Sequence, residues 1–150
     1  MKDSIKDTIL TMYAFKKHKD DDEFLIYKSR IGTDIISNLY ATPLMYLSNK
    51  RIWVIDWSFI QTHAPAVISL EKANKIDKET WKAPIGLRFC GITLATQDAP
   101  NNKIAISMKE HKGEAVYEAI RILQKTIREE NRYMNQEEVR AKIFPLFSNK

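Results

Sequence analysis

Residues 87–96 read LRFCGITLAT and residues 103–108 read KIAISM, with the turn-forming Pro100-Asn101-Asn102 between them. Odd-numbered residues of the first stretch, from Leu87 to Thr93, face one side of an extended chain, and even-numbered residues, from Arg88 to Leu94, face the other. Apolar and β-branched residues separated by a turn of this composition indicate two paired antiparallel strands.

The hydrophobic period changes from two to about 3.6 residues after this hairpin. From Gly113 onward, apolar residues recur every three or four positions, which predicts an amphipathic helix over residues 113–133. Asn135 with Glu138 three residues later has the spacing of a helix N-cap, so a short second helix is expected, ending at Pro145. The apolar stripe of the long helix consists of Val116, Ala119, Ile120, Leu123 and Ile127.

The residues before this hairpin also predict antiparallel strands. Two apolar runs flank the polar turn Ser48-Asn49-Lys50, which is typical of a second hairpin. Residues 75–78 have a weaker strand pattern, and residues 35–40 fit either a strand or a short turn of helix. Short turns between consecutive strands indicate antiparallel pairing. The remaining predicted strands are residues 24–32, 44–47, 51–56 and 66–70.

The N-terminal segment has a helical pattern of its own, with Ser4 as the predicted N-cap. The acidic run Asp20-Asp21-Asp22-Glu23 that follows is interpreted as a solvated loop, because it lacks the spacing and the glycine of an EF-hand calcium loop. The residues predicted to share the apolar face of this helix are Ile5, Ile9, Met12 and Tyr13.

Together these patterns predict a single α+β domain over residues 1–150. Its centre is an antiparallel, partly open β-barrel of about seven strands capped by a C-terminal helix, with an additional N-terminal helix. The predicted segments are residues 1–20 for the N-terminal helix, 24–110 for the barrel, 113–133 for the capping helix and 135–150 for a C-terminal extension.

Composition and charge narrow the class of protein. Of the 150 residues, 44% are hydrophobic and 29% are charged, as in a folded globular chain. The formal net charge is +5, but acidic residues are interleaved with basic ones, which disfavours a dedicated nucleic-acid-binding face. No apolar stretch approaches the roughly 20 residues that span a bilayer, and the first residues are charged. The expected compartment is therefore the cytoplasm, with peripheral membrane association as an alternative.

The sequence lacks the patterns of the common catalytic and metal chemistries. His18, His63 and His111 are widely spaced and match no metal-ligand pattern, and the single cysteine, Cys90, lies in an apolar run. There is no phosphate-binding glycine loop and no Gly-x-Ser-x-Gly elbow. We therefore expect a non-enzymatic protein without cofactor or metal. An enzyme with an unrecognised site remains an alternative.

The first hairpin carries a resemblance to a known family. Residues 46–55, YLSNKRIWVI, resemble the strand–turn–strand element of bacterial PH-like domains, of the pleckstrin-homology and GRAM type. Residues 68–73, ISLEKA, resemble the next element of that family, and residues 87–132 fit its closing hairpin and helix. The resemblance covers residues 24–130 and implies a partly open barrel plugged at one end by the C-terminal helix.

Members of this family are mostly non-catalytic modules that bind lipid head groups or proteins, so the resemblance implies a binding module. The chain departs from the family pattern by its two additional helices, by Ala73 where a larger apolar residue is usual, and by the absence of Trp from residues 113–133. These departures affect the expected ligand more than the expected fold.

A partner protein is the ligand class favoured here. The connection that contains Trp57, Phe59 and Ile60 is apolar, and it is a candidate contact for such a partner. Packing inside the barrel is the favoured explanation of the same residues.

An anionic lipid or another phosphate-bearing ligand is the alternative. Alternation places Lys28 and Arg30 on one strand face, where both could contact one phosphate, and Lys72 and Lys75 complete the candidate set. The spacing of Lys19 before Lys28 and Arg30 resembles the phosphoinositide signature of eukaryotic PH domains. The intervening acidic run opposes anion binding.

Overall fold

The computed structural model describes residues 2–30, 44–55, 66–84, 86–96 and 103–148. Residues 35–40, whose conformation the sequence left open, and the connection with Trp57, Phe59 and Ile60 lie outside the described residues. In chain order the described elements are α1 (Lys2–His18), β1 (Leu25–Arg30), β2 (Leu44–Ser48), β3 (Arg51–Ile55), β4 (Ala66–Ser69), β5 (Ala73–Lys82), β6 (Arg88–Thr96), β7 (Lys103–Lys109), α2 (Glu110–Glu130), α3 (Gln136–Lys142) and α4 (Phe144–Ser148).

The strands form two antiparallel sheets, ordered β1-β2-β3-β4 and β5-β6-β7. Both predicted hairpins are present, with Met45 opposite Val54 in the first and Ile92 opposite Ile106 in the second. The predicted α+β class with helices at both ends is therefore confirmed. The barrel needs a correction, because no ladder joins the two sheets within the described ranges and they do not close.

The main core lies between the two sheets and α2. Side chains from both sheets meet in this core, including Leu47 and Ile52 of the first sheet and Ile92 of the second. Burying each aliphatic side chain of this size stabilises the fold by roughly 1.5–3 kcal/mol. The predicted apolar stripe of α2 is buried here throughout: Val116, Ala119, Ile120, Leu123 and Ile127.

A second apolar cluster lies on the opposite face of the first sheet, beneath α1. Phe15 contacts the ring of Trp53 edge to face, with 5.1 Å between centroids, and lies 5.3 Å from the ring of Tyr46. Thr11 Oγ1 and Tyr46 Oη share a hydrogen bond of 2.7 Å. The first sheet is consequently covered on both faces, which explains why every residue of β2 is buried.

Of the residues predicted to form the apolar face of α1, Met12 packs partly against this second cluster, and the side chain of Ile5 lies outside the described part of the structure. Ile9 and Tyr13 are exposed, and the helix instead buries Thr11, Ala14 and Phe15 against the sheet. A helix with apolar residues on two faces has no preferred side by periodicity alone. The aromatic outer face of β2 and β3 decides the orientation, because it accommodates the ring of Phe15.

Several element boundaries differ from the predictions. α1 includes Ser4, so this residue is not its N-cap, and β5 is longer than the predicted 75–78. Asn135 is the N-cap of α3, as predicted, and forms a complete capping box with Glu138. Pro145 lies in the first turn of α4, where its missing N–H costs no helical hydrogen bond, instead of ending α3.

Gly113 lies inside α2, although its glycine suggested the start of the helix. The helix begins three residues earlier, at Glu110, and crosses β6 at Cys90. A Cβ atom at position 113 would overlap the Cβ atom of Cys90 and lie 2.8 Å from its Sγ atom. The glycine therefore serves the close approach of helix and strand.

Replacing Gly113 by Ala is expected to lower the free energy of unfolding by about 1–3 kcal/mol, because a methyl group would force α2 away from β6. Urea denaturation followed by circular dichroism measures the change. Helix propensity alone predicts the opposite sign, a gain of about 1 kcal/mol for Ala over Gly. A stabilised variant would therefore contradict the packing described here.

Candidate functional site

The turn between β2 and β3 contains a hydroxyl that organises its own backbone. Ser48 Oγ accepts hydrogen bonds from the backbone N–H groups of Lys50 and Arg51, at 3.2 and 2.9 Å. The same hydroxyl donates to Glu23 Oε2 at 2.5 Å. Ser48 therefore joins the hairpin turn to the segment that links α1 with β1.

Glu23 is buried at the centre of this junction, with 2% of its surface exposed. Its carboxylate accepts hydrogen bonds from the guanidinium of Arg51 and, at 3.0 Å, from Trp53 Nε1. Burial alone would raise the pKa of Glu23, but the hydrogen bonds from Arg51, Ser48 and Trp53 outweigh it and lower the pKa. The interpretation of the acidic run as a solvated loop is wrong for this residue.

Lys50 forms the outer part of the same network. Its ammonium group lies 2.5 Å from Asp22 Oδ1 and 3.4 Å from Asp20 Oδ2, and 4.7 Å from the ring centroid of Tyr133. Desolvation lowers the pKa of Lys50, but the two aspartates raise it by more, so the side chain stays charged. Two of the four acidic residues in the run thus pair with Lys50, although their own side chains remain exposed.

Asn49 connects three segments that are far apart in sequence. Its Oδ1 accepts a hydrogen bond from the backbone N–H of Phe24 at 3.1 Å. Its Nδ2 donates to the carbonyl of Met134 at 3.1 Å and to that of Asp22 at 3.4 Å. The turn that carries the family resemblance, residues 48–51, therefore holds the molecule together at the junction of α1, the first sheet and the α2–α3 connection.

A groove of about 940 Å³ opens beside this junction, between α1, residues 21–25 and the α2–α3 connection. Its volume lies in the range of ligand-binding clefts. The polar groups around the groove include Lys16, Lys19, Arg132 and Gln136. The apolar residues that line it are Met12, Phe15, Phe24, Leu25, Tyr133 and Met134.

Sequence reasoning missed this groove. Its walls come from residues near position 12 and near position 134, and no local pattern connects the two. Asn135 with its capping box was the available signal, because it predicts where the chain turns back after α2.

The structure separates the predicted basic residues into two groups. Lys28 and Arg30 lie on β1 and pair with residues of the outer face on which α1 packs. Lys72 lies in the turn between β4 and β5, and Lys75 lies on β5 in the second sheet, 3.8 Å from Asp77. The first pair is thus brought together with α1, and the other two lysines are not.

No group of three or more His, Cys, Asp or Glu side chains is arranged to hold a metal ion in the described part of the chain. Cys90 is buried, and burial raises the pKa of its thiol. Among the described helices, none combines the length and hydropathy needed to cross a membrane.

Solved structures from a bacterium and from human resemble this architecture. A DUF1696 family protein with a pleckstrin-homology domain, from Shewanella loihica PV-4, matches with a TM-score of 0.52 at 15% identity, over 77% of this chain and 92% of that one. The fold is pleckstrin-homology-like. The hSac2 domain of the human phosphoinositide phosphatase Sac2 matches with a TM-score of 0.52 at 16% identity, over 83% of this chain and 84% of that one.

No family model and no curated protein matches the sequence. At such low identity, the structural matches establish the PH-like fold alone. They agree with the bacterial PH-like resemblance of the hairpin.

Replacing Glu23 by Gln is expected to lower the free energy of unfolding by about 2–3 kcal/mol at neutral pH, because the variant leaves the charge of Arg51 without its buried partner. Urea denaturation measures the difference. Asp77→Asn removes a carboxylate from an exposed pair with Lys75 and is the matched control, with an expected change below about 1 kcal/mol.

The effect of Glu23→Gln should depend on pH. The folded protein lowers the pKa of Glu23, so the carboxylate stabilises the fold fully above its ordinary pKa of 4.5, and this stabilisation is lost as the pH falls below that value. The gap between wild type and variant should therefore shrink in acid. An equal gap at neutral and acidic pH would contradict the charged role of Glu23.

Proposed function

We propose that the protein is a non-catalytic binding module that recognises a segment of a partner protein in the groove beside α1. The supporting observation is the groove itself, whose apolar lining is surrounded by charged and amide groups. Apolar contacts in such a groove supply affinity, and a few polar groups orient the bound segment.

The side chains of the groove suit an apolar anchor from the partner. Met12, which is half-buried, supplies flexible, polarisable surface that adapts to different apolar side chains, whereas Met134 is buried in the wall of the groove. Tyr133 combines a ring with a hydroxyl that donates to Glu71 Oε2 at 3.2 Å, so its orientation is supported from outside the groove. The hydrogen bonds of Asn49 hold the two walls at a fixed separation, which reduces the entropy lost on binding.

Replacing Met12 by Asp should weaken the binding of a selected peptide by at least about tenfold, since it places a charge on the apolar lining. A peptide-display library selected on the wild type supplies the probe, and fluorescence anisotropy measures its affinity. Phe144→Asp is the matched control, because Phe144 is 41% exposed on α4 and does not line the groove.

Amide chemical shifts locate the bound peptide independently. Shifts concentrated at residues 12–16, 21–25 and 131–136 would support the groove. Peptides that bind Met12→Asp as tightly as wild type would contradict it. Trp57, Phe59 and Ile60 remain candidates for a further protein contact, and their replacement by Ala tests that contact with the same peptides.

Binding of an anionic lipid or another phosphate-bearing ligand is the second candidate function. From the sequence, the acidic run at residues 20–23 is expected to oppose anion binding, and one observation weakens this objection. Asp20 and Asp22 pair with Lys50, and Glu23 is buried against Arg51, so two cations offset half of the negative charge of the acidic run.

Lys28 is exposed on the outer side of the first sheet, and Arg30 lies two residues further along the same strand. Two cations on one strand face can contact the same anionic group. Lys72 and Lys75 are proposed as a separate, weaker contact, because Lys75 already has Asp77 as a neighbour.

Charge reversal of Lys28 and Arg30 to Glu should abolish co-sedimentation with vesicles that contain phosphatidylserine. The same reversal of Lys72 and Lys75 is the matched control, with a smaller expected effect. Wild-type binding should weaken as salt is raised, because exposed charges are screened. Binding that is insensitive to salt, or unaffected by the first pair of substitutions, would reject this candidate.

A further inference from the structure

The outer face of α1 presents apolar side chains to solvent. Tyr13 is 66% exposed and Ile9 is 63% exposed, more than any other large apolar side chain in the described residues. They are four positions apart, so they lie one above the other on a single helical face. Phe15 and Thr11 hold the opposite face on the sheet, which leaves this apolar pair without a function in the fold.

Basic residues surround this pair on the same side of the molecule. Lys16 and Lys17, in the last turn of α1, are exposed. Lys28 and Arg30 flank the helix on β1, because their strand partners belong to the face on which α1 packs.

Three of the four carboxylates nearest in sequence have a cationic partner, Lys50 or Arg51. Asp20 and Asp22 pair with Lys50 while their side chains stay exposed, Glu23 is buried against Arg51, and Asp21 is exposed. The side of the molecule around α1 therefore combines an apolar centre with a positive periphery.

We propose that the outer face of α1 docks on an anionic bilayer, with Ile9 and Tyr13 entering the interfacial region and the surrounding cations contacting lipid phosphates. This inference rests on the second candidate function and narrows its ligand to a membrane. Tyrosine favours the membrane interface, where its ring is in an apolar environment and its hydroxyl is hydrated. An amphipathic helix that lies in the interface has this combination of apolar and basic groups.

A membrane explains the surface better than a free phosphate ligand does. A soluble phosphate would use the cations and leave Ile9 and Tyr13 in water. A second copy of the chain, docked through the same helix face, would bring the lysines of two α1 helices close together, which is unfavourable between like charges. A bilayer with anionic lipids satisfies both parts of the surface at once.

Vesicle co-sedimentation of the full chain tests the proposal with the double variant Ile9→Ser, Tyr13→Ser. Vesicles of phosphatidylcholine and phosphatidylserine at 3:1 are compared with phosphatidylcholine alone. Wild type should bind the anionic vesicles, and the double variant should show a partition coefficient at least about tenfold lower, because it lacks the apolar insertion. The control variant Phe144→Ser, which replaces an exposed apolar side chain on α4, should bind as wild type does.

The outcomes separate this inference from the function on which it rests. If charge reversal of Lys28 and Arg30 abolishes binding but the double serine variant binds as wild type does, the anionic site stands and the docking of α1 is wrong. If wild type binds neither vesicle, the docking of α1 and the lipid form of the second candidate function are both wrong. Millimolar inorganic pyrophosphate that removes the protein from vesicles would indicate a soluble phosphate ligand and would also overturn the proposal.

An environment-sensitive fluorophore provides a second readout. The thiol label NBD on Ile9→Cys, in a Cys90→Ala background that leaves no other cysteine, should gain intensity and shift to the blue on anionic vesicles. A label that stays in an aqueous environment while the protein sediments would show that α1 does not enter the bilayer. Size-exclusion chromatography that finds a dimer dissociated by the double serine variant would assign the surface to a second copy instead.

Discussion

The carboxylate of Glu23 under the β2–β3 turn is the contact on which the N-terminal half of the structure depends. A buried charge is tolerated only when its partners replace water, and Glu23 has a guanidinium, a hydroxyl and an indole N–H around it. Because these partners lie on one hairpin, the chain that leaves α1 must enter the first sheet at this point. The position of α1 follows from this restraint, together with the packing of Phe15 on Trp53.

Two surfaces result from the same restraint. With α1 held on the outer face of the first sheet, its end and the α2–α3 connection become the walls of a groove. The opposite side of α1 faces solvent and exposes Ile9 and Tyr13. The PH-like framework is thus the rigid body, and the additional N-terminal helix provides one wall of the groove and the exposed apolar face.

The predictable parts of the fold were those with a local signal. Alternation in residues 88–96 and the stripe from Val116 to Ile127 are set by neighbours on the same element, so they predicted the second hairpin and α2 well. The start of α2 was misplaced because a glycine usually breaks a helix, whereas Gly113 is needed for close packing on Cys90.

Features that depend on distant partners could not be predicted in the same way. The burial of Glu23 requires Ser48 and Arg51, which are 25 and 28 residues away, and the groove joins residues from both ends of the chain. The orientation of α1 depends on the aromatic residues of β2 and β3. One signal was overlooked, since the continuous apolar run of β2 is typical of a strand covered on both faces.

Hydrogen–deuterium exchange of α1 tests the central restraint most directly. Glu23→Gln should lower the protection of amides in the second half of α1 selectively, while α2 and β6 keep theirs, and Asp77→Asn should leave the protection of all three elements unchanged. Unchanged protection of α1 in Glu23→Gln, or an equal loss across the whole molecule, would contradict the claim that this carboxylate holds the helix on the sheet.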